Sequence, residues 1–321
     1  MLLMKKRNLA LAIGGAAGAA IAIKFLTRAD TVSWEKVSHR VPHSDKSHFV
    51  SVDGARVHYQ EFGDAANPTI VLLHGYTASV YVWRMAAPLL AEAGCHVIAF
   101  DLLGFGYSEK PRWFDYSIES HARIISRSMD RLGIGRATIV GSSYGGAVAL
   151  ALTLDNQERV DKLVLSDAVC NDQPKNHPLL KLGNIRGIGE LITPFVVDSK
   201  FFLRKRMRGT IAEVNRHLIT DERVESIRRP LVAADAHHSV LATSRNWHAD
   251  RLEQDAHLIR RPTLIIWGKS DRVIPIECGR TLHREIPDSK FVIIRNCGHV
   301  PQEEKSEVFA GLVSEFAHPH S

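Results

Sequence analysis

Ser143 stands in the middle of Gly141-Ser142-Ser143-Tyr144-Gly145-Gly146, between the apolar run Ala137-Thr138-Ile139-Val140 and a second run, Ala147 to Leu152. That order predicts a strand, a tight turn and a helix. A serine at the apex of such a turn sits in strained backbone, with small neighbours letting strand and helix approach. Its hydroxyl points out of the sheet, beside the first amides of the helix. A serine attacks a carbonyl only when a base takes its proton, so the chain must also supply a histidine and an acid. Two late loops carry them. Gly268-Lys269-Ser270-Asp271-Arg272-Val273-Ile274-Pro275 follows the apolar run 263–267, and Asn296-Cys297-Gly298-His299-Val300-Pro301 follows 290–294. In a parallel sheet, loops at the carboxyl ends of strands share one edge, so both loops should lie near Ser143. In that arrangement His299 takes the Ser143 proton and later returns it to the leaving group, while Asp271 holds the ring in the right tautomer.

The elements that must position these residues read as an alternation of strands and helices. Residues 47–62 alternate polar and apolar around Asp53-Gly54, a hairpin signal. Thr69 to Leu73 and His96 to Phe100 are continuous apolar runs, the pattern of strands buried on both faces. Helices are expected over 84–93 and 117–132, and a further strand over 160–165. Strands separated by helices at this spacing imply a parallel sheet with right-handed crossovers. The rhythm breaks between about 171 and 245, where helix-like pieces with prolines and basic clusters replace buried strands. It resumes at Pro262 and ends in a helix expected over 302–316. The simplest organisation is an amino-terminal segment at 1–30, a core at 31–170 and 246–321, and a helical cap at 171–245.

Composition narrows the classes. With 45% apolar and 24% charged residues among 321, a sizeable core forms and global disorder is excluded. The formal charge of +6 is concentrated at the amino terminus and in the cap, which leaves no basic face for nucleic acid on the rest of the body. Cys95, Cys170, Cys278 and Cys297 are scattered without metal-ligand spacing and read as free thiols. Residues 8–23 carry no charge and follow Lys5-Lys6-Arg7; extended to 26 they approach a membrane span, with Gly14 and Gly18 as a packing pair. The expectation is a membrane anchor at residues 8–26, or a cleaved export signal that leaves the body outside the cell membrane. The run Phe201-Phe202-Leu203-Arg204-Lys205-Arg206-Met207-Arg208 offers a second, cap-borne contact with an anionic membrane. His237-His238 has no ligand partners in sequence, so no metal is expected there.

Five motifs stand in a fixed order: His-Gly-Tyr at 74–76, Gly-Phe-Gly-Tyr-Ser at 104–108, Gly-x-Ser-x-Gly at 141–145, Gly-x-x-Asp-x-x-x-Pro at 268–275 and Gly-His at 298–299. Together they resemble the α/β-hydrolases, over roughly 48–170 and 246–317. The resemblance implies an α/β fold with a mostly parallel central sheet flanked by helices, and a helical cap insertion. It implies an oxyanion hole from the backbone N–H groups of Tyr76 and Tyr144, and no cofactor. It places the acid at Asp271; some family members carry it where Asp167 stands, but the local motif favours Asp271. His74 reads as support for the turn before Tyr76, and Asp101 as an organiser of the 104–108 loop. Trp83, Trp113, Phe195, Phe201, Phe202 and Trp247 are candidates to line an acyl pocket.

The stretch 74–84 also resembles haloalkane dehalogenases and epoxide hydrolases, which place an aspartate at the nucleophile position. Ser143 points instead to acyl transfer. The first expectation is hydrolysis of a carboxylic ester with a lipid-like or medium-chain acyl group. The second is carbon–carbon bond hydrolysis of a vinylogous diketone by the same three residues. The loop at 104–108 resembles those relatives, but the Gly-Pro-Gly-type loop after His74-Gly75 is missing. A non-catalytic binding protein on this fold is the third, and an intact serine, acid and histidine speak against it.

Overall fold

The computed structural model describes residues 29–173 and 178–318. Among these, eight strands form one sheet in the order β1-β2-β4-β3-β5-β6-β7-β8. β1 (Ser47–Val52) and β2 (Ala55–Phe62) are the expected hairpin, turning through Asp53 and Gly54, both at positive φ. β2 pairs antiparallel with β4 (His96–Phe100). From there the sheet is parallel, through β3 (Thr69–Leu73), β5 (Ala137–Ser142), β6 (Val160–Ser166), β7 (Thr263–Gly268) and β8 (Ser289–Ile294).

The continuous apolar runs follow from a sheet covered on both sides. Successive side chains of a strand point to opposite faces. Val71, Leu73, Ile98, Phe100 and Ile139 enter one core, whereas Ile70, Leu72, Val97, Ala99 and Val140 enter the other. The first core is closed by α3 (Ile118–Arg131), α4 (Tyr144–Asp155) and α11 (Ile276–Glu285), the second by α2 (Ala86–Glu92) and α13 (Ser306–Ala317). A short α1 (Trp34–Val37) precedes the hairpin.

Between β6 and β7 lie α5 (Pro178–Asn184), α6 (Ile188–Val197), α7 (Lys200–Thr210), α8 (Asp221–Arg228), α9 (Ala234–Arg245) and α10 (Asp250–Gln254). α5 to α9 pack on one another as the cap, while α10 packs on α4 and α11 of the core. Two helices depart from expectation. The segment 80–83 is a 3-10 turn ahead of α2, and the closing helix is two, α12 (Pro301–Glu304) and α13, because Lys305 leaves helical geometry at φ −142 and ψ 51. No helix among the described residues is long and apolar enough to cross a membrane. The anchor expected at residues 8–26 lies outside the described residues.

Candidate active site

Ser143 occupies the turn between β5 and α4 at φ 55 and ψ −119, a conformation that L-residues avoid unless their surroundings impose it. Here β6 imposes it. Ser143 N–H donates to Ser166 O at 3.0 Å, and Ser143 O accepts from Val169 N–H at 3.0 Å. The turn also needs glycine: a Cβ on Gly145 would stand 2.2 Å from Leu73 O.

His299 comes from the loop after β8 and reaches both partners. Its Nε2 lies 2.9 Å from Ser143 Oγ and its Nδ1 lies 2.8 Å from Asp271 Oδ2. The carboxylate fixes the tautomer: Nδ1–H donates to Asp271, and the bare Nε2 faces the serine hydroxyl. Asp271 is held in turn by Val273 N–H at 2.7 Å and Ile274 N–H at 3.3 Å, both on Oδ1. The His299 and Asp271 side chains are 7% and 1% exposed, so the relay works out of reach of bulk water.

Gly75 presses the loop after β3 against this serine. A Cβ there would meet Ser143 Cβ at 3.0 Å. The next residue is Tyr76, and across the nucleophile Tyr144 opens α4. Neither backbone N–H has an acceptor among the described residues, so both are available to a developing oxyanion. The two tyrosine side chains do other work. Tyr76 hydroxyl donates to Val240 O of the cap at 2.7 Å, and burial pushes both phenols well above their usual pKa, keeping them neutral. Trp247 stacks on both rings, at 5.7 Å from Tyr76 and 4.9 Å from Tyr144.

A family model described as the alpha/beta hydrolase fold matches residues 68–196 and 200–306. The chain belongs to this family. An uncharacterized hydrolase of Bacillus subtilis, YugF, is 29% identical over 271 residues, 83% of this chain and 96% of the relative. The 2-hydroxy-6-oxo-2,4-heptadienoate hydrolase of Pseudomonas putida is 32% identical over 261 residues, 78% of this chain and 89% of the relative. Among solved structures, a membrane phospholipase A superposes with a TM-score of 0.70 at 27% identity, covering 97% of each chain.

In this α/β-hydrolase the remaining candidates separate cleanly. His74 accepts from Leu102 N–H at Nε2 (3.0 Å) and donates from Nδ1 to Gly75 O (2.8 Å), so it supports the oxyanion loop from below. Asp101 accepts from Val80 N–H, Tyr107 N–H and His58 Nδ1, tying the 104–108 loop to β2 and β4. Trp83 belongs to the opposite core, against Phe309. Trp113, Phe201 and Phe202 are exposed, and His237 pairs with Asp198 in the cap at 2.7 Å. Trp247 packs edge-on against the Tyr76 ring.

Sequence reasoning placed Arg206 among membrane-facing cations. Its side chain is exposed, but its tip reaches the loop after β3: Nη1 donates to Thr77 Oγ1 at 2.7 Å, and that hydroxyl donates on to Tyr76 O at 2.6 Å. Leu203 and Met207 form the buried face of α7, which Arg206 flanks. No carboxylate pairs with it among the described residues. The acid side also holds more than expected. Asp167 is buried beside Asp271, and donor atoms of Asp167, Asp271 and His299 lie within 4.8 Å of one another. Within this cluster His299 bonds to Asp271, while Asp167 accepts from Gly268 N–H at 2.9 Å.

Proposed function

We propose that this hydrolase works through an acyl-enzyme on Ser143 and takes carbonyl substrates that carry a negative charge near the reacting carbon. The observation that carries the reading is the His299 ring, hydrogen-bonded on one nitrogen to Ser143 and on the other to Asp271. His299 removes the hydroxyl proton as Oγ attacks the carbonyl carbon, and the Tyr76 and Tyr144 N–H groups receive the oxyanion. Collapse of the tetrahedral intermediate releases the leaving group with that proton. Water, activated by the same ring, then frees the acid. Arg206 supports an anionic substrate, since it brings to the loop that bears Tyr76 a cation with no carboxylate partner among the described residues.

Carbon–carbon bond hydrolysis is the reading that the relatives favour. Their names recur as hydrolases of 2-hydroxy-6-oxo-dienoates and of 2-hydroxymuconate semialdehyde. Such a dienoate has a ketone but no ester, so its hydrolysis must break the bond between the carbonyl carbon and its neighbour. The 2-enol first tautomerises to its keto form, its proton passing to the carbon next to the 6-carbonyl. The conjugated 2-ketone then takes up the electron pair of the broken bond and is protonated on oxygen, leaving a 2-hydroxy-dienoate. The substrate carboxylate is the anion that Arg206 would bind.

Ester hydrolysis, the first expectation from sequence, stands second. The similarity to a membrane phospholipase A along 97% of both chains supports it. So does the cap surface, where Ile185, Ile188, Leu191, Phe201 and Phe202 are exposed beside Lys181, Arg186, Lys205 and Arg208. Ala29, three residues after the apolar run 8–26 in sequence, lies against this cap, where its O accepts from Ala234 N–H at 3.0 Å. Membrane contact through both is part of this second reading.

Three substrates separate the readings. Wild type and Ser143→Ala are compared on a 2-hydroxy-6-oxo-dienoate, followed by loss of its absorbance, and on a neutral and an anionic acyl ester. A higher kcat/KM for the dienoate favours bond cleavage to carbon, and the reverse favours ester cleavage. Turnover that survives in Ser143→Ala overturns both.

A further inference from the structure

β6 ends at Ser166, and Asp167 follows at φ 44, in the left-handed region that a non-glycine residue adopts only when held there. The turn carries a fully buried carboxyl beneath His299. Its Oδ1 accepts from Gly268 N–H at 2.9 Å, Ser166 Oγ lies 3.3 Å from Oδ2, and one of its carboxyl oxygens lies within 4.8 Å of one on Asp271. Two carboxylates this close in a dry site cannot both carry charge, so one proton must be shared between them.

The donors decide where it sits. Asp271 receives the His299 ring N–H and two backbone N–H groups, which favour its anion. Asp167 receives one backbone N–H and one distant hydroxyl, and no lysine or arginine bonds to it among the described residues. The groups around it are Asp271 from the loop after β7, His299 and Cys297 from the loop after β8, and Glu304 and Lys305 beyond. Burial, then the Asp271 charge, push the Asp167 pKa well above the usual carboxylate value; burial and the same acids keep the Cys297 thiol neutral.

We propose that Asp167 is a positioning residue: its carboxyl donates a hydrogen bond to Asp271 and so holds that carboxylate on Nδ1 of His299. The relay then consists of two acids with one charge, and Asp271 gains a buried O–H donor beside the N–H groups already on its two oxygens. The inference rests on the Ser143 chemistry proposed above for its kinetic consequences. An asparagine at 167 reproduces the arrangement, accepting from Gly268 N–H and donating from its amide to Asp271. An alanine cannot. Without the donor, the Asp271 charge falls more fully on His299 and favours the imidazolium.

The test compares Asp167→Asn and Asp167→Ala by the pH profile of kcat/KM on p-nitrophenyl acetate, with infrared spectra of the resting proteins. Asp167→Asn keeps kcat/KM within about threefold and leaves the acidic limb in place. Asp167→Ala loses about ten- to hundredfold, the range for a hydrogen bond to a charged group, and moves the acidic limb to higher pH. Equal damage in both variants, or an Asp167→Ala enzyme with unchanged rate and limb, overturns the proposal. The infrared measurement stands even if Asp167→Ala does not fold. A protonated carboxyl band at neutral pH is present in wild type and in Ser143→Ala and absent in Asp167→Asn. Its absence from wild type also overturns the proposal, and because Ser143→Ala shows it equally, failure of the Ser143 reading leaves this result intact.

Discussion

The backbone N–H of His299 donates to Thr210 O across 2.7 Å, so the proposed base hangs on the last turn of the cap helix α7. Glu304 secures the same joint. Its Oε1 accepts from Gly298 N–H at 2.9 Å, and its Oε2 accepts from Ala212 N–H at 2.9 Å and Asn215 Nδ2 at 2.8 Å. Cap and base are thereby one unit. Replacing Glu304 with glutamine removes an acceptor from this buried set and costs about 1–3 kcal/mol of stability. Because the joint carries His299, kcat falls as well, by about tenfold at temperatures where the variant remains folded. A Glu304→Gln enzyme with lowered melting temperature and unchanged kcat shows that the base is positioned independently of the cap.

Glu303, one residue earlier, sits between two arginines. It pairs with Arg223 and Arg84, each at 2.6 Å. Burial alone would raise its pKa, but the two guanidiniums outweigh it and hold the carboxyl below the usual glutamate value. A carboxyl whose folded pKa is depressed stabilises the fold above its unfolded pKa of about 4.3, and that stability is lost as pH falls through the lower folded value. Glu303→Gln leaves Arg223 buried without its partner and costs about 3–5 kcal/mol at pH 7. Urea unfolding from pH 7 downward measures both effects, and the variant shows a shallower loss of stability on the acid side than wild type.

The two glycines at the nucleophile fail in different ways. At Gly145 a new Cβ meets main chain at 2.2 Å, which cannot yield, so Gly145→Ala destabilises the fold by more than about 3 kcal/mol. At Gly75 the contact is milder, 3.0 Å to Ser143 Cβ, so the turn that carries the serine has to give by only a few tenths of an ångström. Gly75→Ala therefore keeps a melting temperature near wild type while kcat/KM drops by about tenfold or more, a loss of the order expected from a misplaced oxyanion donor. Thermal unfolding alongside steady-state kinetics separates the two outcomes.

Arg206 is predicted to set charge preference. Arg206→Gln retains a donor for Thr77 but loses the cation. For an anionic substrate kcat/KM falls about ten- to hundredfold, mostly through KM, whereas a neutral acyl ester of similar size changes by less than about threefold. Equal losses on both substrates assign Arg206 to the oxyanion loop alone.

The strands at the centre of the sheet were legible because each is apolar on both faces, as at Ile70 to Leu73 and Val97 to Phe100. Loops at their carboxyl ends follow from parallel topology, which is why Ser143, Asp271 and His299 could be set side by side from one chain. What stayed hidden depends on contacts between distant segments. Nothing local at Asp167 shows that its carboxyl lies on Asp271 rather than replacing it; both candidates are at the relay together. Arg206 lies in a run with Arg204, Lys205 and Arg208, and like Lys205 and Arg208 it is exposed, so the run does not reveal its bond to Thr77. That partner lies more than a hundred residues earlier. The break at Lys305 is likewise dictated by packing of the two buried glutamates before it, not by a proline or glycine.

The central claim is that Ser143 becomes a covalent nucleophile when His299 takes its proton. Mass spectrometry of the protein after reaction with a fluorophosphonate tests it most directly, on wild type, Ser143→Ala and His299→Gln. The account predicts a single adduct on Ser143, none in Ser143→Ala, and labelling slowed by at least about a thousandfold in His299→Gln. An adduct on another residue, or labelling of Ser143 at the wild-type rate without His299, contradicts it.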